Sequence, residues 1–112
     1  MEAAERNRIE RLLAILTLGI CTAVEEELIT LSEAERMVFS PCTMQLLEVV
    51  GASNATVNMI HMGTELDDIR SIIPDRYAAS IKKLKDEAVK IVTNGEPASP
   101  ELDSWLLRLC KD

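Results

Sequence analysis

A chain of 112 residues, 47% hydrophobic and 28% charged, has the make-up of one folded domain rather than a disordered tail. Its net charge of -7 argues against nucleic-acid binding, which needs a basic face turned to phosphate. Phe39, Tyr77 and Trp105 are the only aromatic residues, so the core must be aliphatic, and that favours helices over sheets.

The first predicted helix runs from about residue 3 to 26. Ile9, Leu12, Leu13 and Leu16 recur at helical spacing in its first half. The stretch from Leu12 to Val24 is apolar nearly all round, which implies neighbours on several sides, with Gly19 and Ala23 admitting a close helix. Its thirteen residues fall short of the roughly twenty that span a bilayer. Before it, Glu2, Glu5 and Glu10 balance Arg6, Arg8 and Arg11, so a buried central helix fits better than an export signal.

A second, short helix is expected behind the capping box Ser32-Glu33-Ala34-Glu35, ending near Phe39. Ser40-Pro41 restarts the chain as N-cap and first helical residue of a third helix, which stops at Gly51. Ser53 caps a fourth, which carries Val57 and Ile60 and ends at Gly63. Thr64 caps a fifth, closed by Pro74. The sixth, about 75 to 93, shows the clearest pattern, with Tyr77, Ile81, Leu84, Ala88 and Ile91 forming one stripe. Beyond Asn94-Gly95, Pro97 and Pro100 bound a linker, and Leu102, Trp105, Leu106 and Leu109 mark the apolar face of a last helix. These elements predict an all-α single domain, a compact orthogonal bundle of six to seven helices, two of them long (about 3–26 and 75–93).

Charge is unevenly distributed. Between Glu25 and Asp68 nine acids (Glu25, Glu26, Glu27, Glu33, Glu35, Glu48, Glu65, Asp67, Asp68) face only Arg36. From Arg70 to Lys90 six bases face three acids. Glu33, Glu35, Glu65, Asp67 and Asp68 fall in expected helix first turns, where the dipole welcomes acids. Glu25, Glu26 and Glu27 sit at a helix C-terminus, where it does not.

Chemistry is sparse by comparison. Cys21, Cys42 and Cys110 match neither a zinc signature nor a disulfide framework, which points to a reducing cytoplasm, and no cofactor or metal is expected. Cys42 in a helix first turn with His61, the sole histidine, is the one nucleophile–base pair on offer. No phosphate loop, serine elbow or metalloprotease motif occurs, so the chain does not read as an enzyme. Met37, Met44, Met59 and Met62 read mainly as core fillers.

Three strings carry a resemblance: Leu13 to Cys21 (LAILTLGIC), Ser40-Pro41 with Thr43-Met44, and Gly63 to Ile69 (GTELDDI) closing on Ile73-Pro74. They resemble a family of small, uncharacterised bacterial helical proteins that carry "ILTLGLC", "NPYTM" and "LGTELEDI" at similar separations, with Ser40 here for Asn and Cys42 for Tyr. That resemblance implies a helical fold and no activity or site residue. By type, the chain is also similar to the small acidic immunity proteins of contact-dependent toxin systems, whose partners include basic nucleases. This likeness implies a cytoplasmic inhibitor that binds a basic toxin, a ribonuclease, and contacts neither nucleic acid nor membrane. Glu65, Asp67 and Asp68, then Glu25, Glu26, Glu27 and Glu33, are the expected contacts. The alternative is a self-associating helical module, the acidic half of one copy meeting the Lys-rich helix of another, so a monomer or a weak homodimer is expected.

Overall fold

The computed structural model describes residues 2–95. The expected proline linker, the last helix around Trp105, and Cys110 lie outside the described residues. Within them the chain forms α1 (Ala3–Glu25), α2 (Leu31–Met37), α3 (Pro41–Val50), α4 (Asn54–Thr64), α5 (Leu66–Ile72), a 3-10 turn at Pro74–Arg76, and α6 (Tyr77–Asn94). No strand occurs among the described residues, and the helices enclose one aliphatic core.

α1 and α6 are the two long elements and lie against each other. Their directions are opposed: Lys85 bonds Glu25 at one end, and Gly95 abuts the Arg11 side chain at the other. The α6 stripe behaves as its spacing requires, with Ile81, Leu84 and Ala88 buried and Tyr77 and Ile91 packed at its margins. Leu31 and Ala34 of α2, Leu47 of α3, Met59 and Ile60 of α4, and Leu66 of α5 complete the core.

α1 departs from its expected orientation. Its buried face is Glu10, Ala14, Thr17, Ile20 and Cys21, whereas Leu12, Ile15 and Leu16 are exposed on the other side. The small residues Ala14 and Cys21 let α6, with its own Ala88, approach closely, so size rather than hydrophobicity chose the face. Gly19 and Ala23 do not form the expected close helix contact among the described residues, because a Cβ on Gly19 would meet nothing within 4 Å.

Two caps also differ from expectation. α2 starts two residues earlier than Ser32 predicts: Thr30 is the N-cap and accepts the Glu33 N–H at 3.0 Å. Thr30-Leu31-Ser32-Glu33 is an overlapping Thr-x-x-Glu pattern, and Ser32 instead accepts from Arg36 inside the helix. Gly63 does not end α4 but lies within it, and the Thr64 hydroxyl donates to the His61 carbonyl rather than capping α5. Gly63 is needed because a Cβ there would fall inside the buried ring of Phe39. Ser40, Pro41, Gly51 and Ser53 hold their expected positions, Gly51 at φ +70° as the left-handed cap of α3.

A buried carboxylate ties α1 to α4. Glu10 Oε1 accepts both the backbone N–H and the hydroxyl of Ser53 at 2.6 Å. Ser53 in turn caps α4 by accepting from the Thr56 N–H. Burial pushes the Glu10 carboxyl up, but the Ser53 and Thr56 bonds and the nearby Arg6 outweigh it and hold the group below its ordinary value.

Candidate partner-docking surface

The end of α1 is built from carboxylates in an unfavourable place. Leu28 N–H reaches back to the Ala23 carbonyl at 2.8 Å, the six-to-one bond of a Schellman turn, with Glu27 in the left-handed position at φ +59°. Glycine or asparagine normally stands there, since a Cβ is strained in that conformation. Glu27 is the only non-glycine residue with positive φ among the described residues. Glu25, Glu26 and Glu27 are all exposed, at the negative end of the helix dipole.

Neighbouring side chains meet some of the expected contact acids and leave others. Lys85 Nζ donates to Glu25 Oε1 at 2.7 Å, and that bond raises the lysine's pKa. His61 Nε2 and Glu65 Oε1 are 2.6 Å apart, and Arg70 donates to Asp67 at 2.9 Å. Glu26, Glu27 and Asp68 are exposed and form no ion pair among the described residues. Glu33 is half-buried in the first turn of α2. Glu65 is not a first-turn residue, as the sequence suggested, but the junction between α4 and α5.

Tyr77 lies beside Arg70 at the start of α6. Its hydroxyl is pushed up by burial and feels Arg70, Cys21 and Asp67, while the Arg70 guanidinium lies 5.9 Å from its ring centre. Cys21 is one helical turn before Glu25, so the end of α1 and the start of α5 both flank the N-terminal half of α6.

The candidate nucleophile and base do not form a reactive pair. Cys42 is exposed in the first turn of α3, and no hydrogen bond joins it to His61, whose Nε2 contacts Glu65. Cys21 is buried, and burial together with Glu25 pushes its thiol up to about 12, far from the reactive thiolate. Among the described residues no group of three or more His, Cys, Asp or Glu side chains is placed to hold a metal ion. No helix among them is long and apolar enough to cross a membrane. A groove of about 440 Å³ between α3 and α4 is lined mainly by Met44, Leu47, Ala52 and Val57, and contains none of the seven expected contact acids.

The model of a family described as "Protein of unknown function (DUF3969)" matches residues 4–107, nearly the whole chain. The chain belongs to the DUF3969 family. Apart from Ala3, the first residue of α1, the DUF3969 match takes in all of the described helices and all seven acids. No curated protein and no solved structure matches the chain.

Two features of this DUF3969 chain escape a reading by spacing. The Glu10–Ser53 bond joins residues 43 apart, and no local pattern announces it. The strained Glu27 did leave a trace: no glycine or asparagine follows the first helix, so an acid had to serve as its left-handed cap.

Proposed function

We propose that this protein is an immunity protein: a cytoplasmic inhibitor that binds a basic ribonuclease toxin of a bacterial competition system and neutralises it by covering its active cleft. The carrying observation is the glutamate triplet at the end of α1, with Glu27 in the left-handed backbone region. Both the helix dipole and the backbone disfavour an acid there, and strain of this kind marks sites held for an outside purpose. In this reading Glu26, Glu27 and Asp68, exposed and without an ion pair among the described residues, supply the free charge, and Glu25, Glu33, Glu65 and Asp67 are further contacts. Such a field speeds encounter with a basic surface and fixes its orientation. The protein contributes no chemistry of its own in this reading.

The direct test is co-expression with the product of the adjacent upstream gene. Co-purification, and protection of RNA from the toxin in vitro, are the expected results. Absence of both would sink the proposal.

A further inference from the structure

One side of α1 faces away from the core and is apolar. Leu12, Ile15 and Leu16 are 42, 43 and 41% exposed, and Gly19 beside them is exposed too. At about 100° per residue these positions lie opposite the buried row of Glu10, Ala14, Thr17 and Cys21. The strip carries charge only at its ends: Arg8 stands one turn before Leu12, and Glu26 one turn after Thr22. Glycine weakens a helix interior relative to alanine, and no packing among the described residues calls for it at Gly19, where a Cβ would meet nothing within 4 Å. The space it leaves open is directed outward.

The strip is complementary to itself when reversed. Leu12 and Gly19 stand one heptad apart, as do Ile15 and Thr22, which is the seam of a two-helix coiled coil. A two-fold axis crossing the strip midway between Leu12 and Thr22 sets Ile15 opposite Gly19 of a second copy. The same axis sets Leu12 opposite Thr22 and Arg8 opposite Glu26. Each large side chain then meets a small one, and each end charge meets its opposite. Every contact occurs twice, as an isologous interface requires. Sliding one helix by a heptad loses the match, since Ile15 then meets Leu12 in one direction and Glu26 in the other. Glu26 alone is shared with the proposed toxin surface.

We propose that two copies of this protein associate through antiparallel α1 helices, with Ile15 of each seated over Gly19 of the other. From Arg8 to Glu26 the helix rises about 27 Å. One helix pair of that length buries less than the roughly 800 Å² per partner of a standard interface, so the dimer is weak and dissociates on dilution. At a net charge of -7 the two copies repel at long range. Salt screens that repulsion and leaves the apolar seam in place.

Sedimentation velocity of the full chain over a wide dilution series, at low and high salt, makes the test. The expected result is a monomer–dimer equilibrium that high salt preserves or strengthens. Gly19→Leu fills the seat of Ile15 and should weaken the dimer by about tenfold or more. Its helical circular dichroism should persist, because a side chain there meets nothing within the monomer. Ile15→Ser should dissociate the dimer as well. Glu26→Arg should weaken it severalfold, and adding Arg8→Glu should restore it. Val49→Ser, at an exposed site on α3, should change nothing. A parent that stays monomeric at its highest soluble concentration overturns the proposal. So does a dimer that Gly19→Leu and Ile15→Ser leave intact, and so does one that salt dissolves, as contact between acidic and Lys-rich surfaces would be. A charge swap no tighter than Glu26→Arg alone overturns the antiparallel register.

Discussion

Glu27 holds a conformation that costs a residue with a Cβ about 1 kcal/mol, and its charge adds a few tenths at the helix terminus. Glu27→Gly removes both costs, so the isolated domain should gain about 1 kcal/mol in denaturant unfolding. If the proposed role is right, the same substitution weakens toxin binding, and a gain in stability with unchanged affinity would remove Glu27 from the docking surface. Gly63 gives the opposite result. The ring of Phe39 occupies the space of any Cβ at that position and is itself 3% exposed, with no room to retreat. Gly63→Ala should therefore lose about 1–3 kcal/mol by overpacking, read as a lowered urea midpoint. Sequence spacing marks Gly63 as a helix stop, since the need for it comes from a ring more than twenty residues earlier in the chain.

At the scale of elements, α1 is held to α4 by Glu10 and to α6 by Glu25, and the two bonds answer differently to solution conditions. Glu10 is 8% exposed, and its carboxyl stays below its ordinary value of 4.5 when folded. A group with a lowered folded pKa stabilises the protein above its unfolded pKa and loses that contribution as pH falls through the folded value. Thermal unfolding should therefore shift to lower temperature as pH drops below about 4.5. Glu10→Gln should flatten part of that slope while costing about 1.5–3 kcal/mol at neutral pH, the worth of a charge-assisted bond. An unchanged pH profile in Glu10→Gln would exclude the carboxylate as its source. Helices whose limits depend on their own residues are legible in the sequence: Ser40-Pro41, Gly51 and Ser53 bound α3 and α4, and the α6 stripe faces the core as spacing predicts. α1 is legible as a helix but not in its rotation, because its apolar residues surround it and only the fit of Ala14 and Cys21 against α6 selects a face. The start of α2 is ambiguous because two overlapping capping patterns compete, and local sequence does not rank them.

Across the described residues, the acids that stand out as one block in the sequence divide into members with a side-chain partner and members without an ion pair. Glu25 and Asp67 pair with Lys85 and Arg70 and Glu65 contacts His61, while Glu26, Glu27 and Asp68 form no ion pair among the described residues. Pairing of this kind across a surface is not legible in the sequence, because it depends on which helix ends meet. Replacing Asp67 and Asp68 together by lysine should weaken binding to the proposed toxin and flatten its salt dependence, since less opposite charge remains to be screened. The domain should stay folded, because the Asp67–Arg70 pair is half exposed and such pairs contribute little. Calorimetry at two salt concentrations, beside a circular-dichroism melt, makes the measurement; equal affinity for both chains would shift the proposed surface to the end of α1 alone.

The Glu10–Ser53 bond also has a kinetic meaning. It closes a loop of 43 residues that holds α2 and α3 inside it, and the ends of such a loop must find each other before the bond repays the lost chain entropy. The Ser53–Thr56 cap bond is local and can form early, whereas the Ser53 N–H at the head of α4 gains its carboxylate acceptor only when α1 docks.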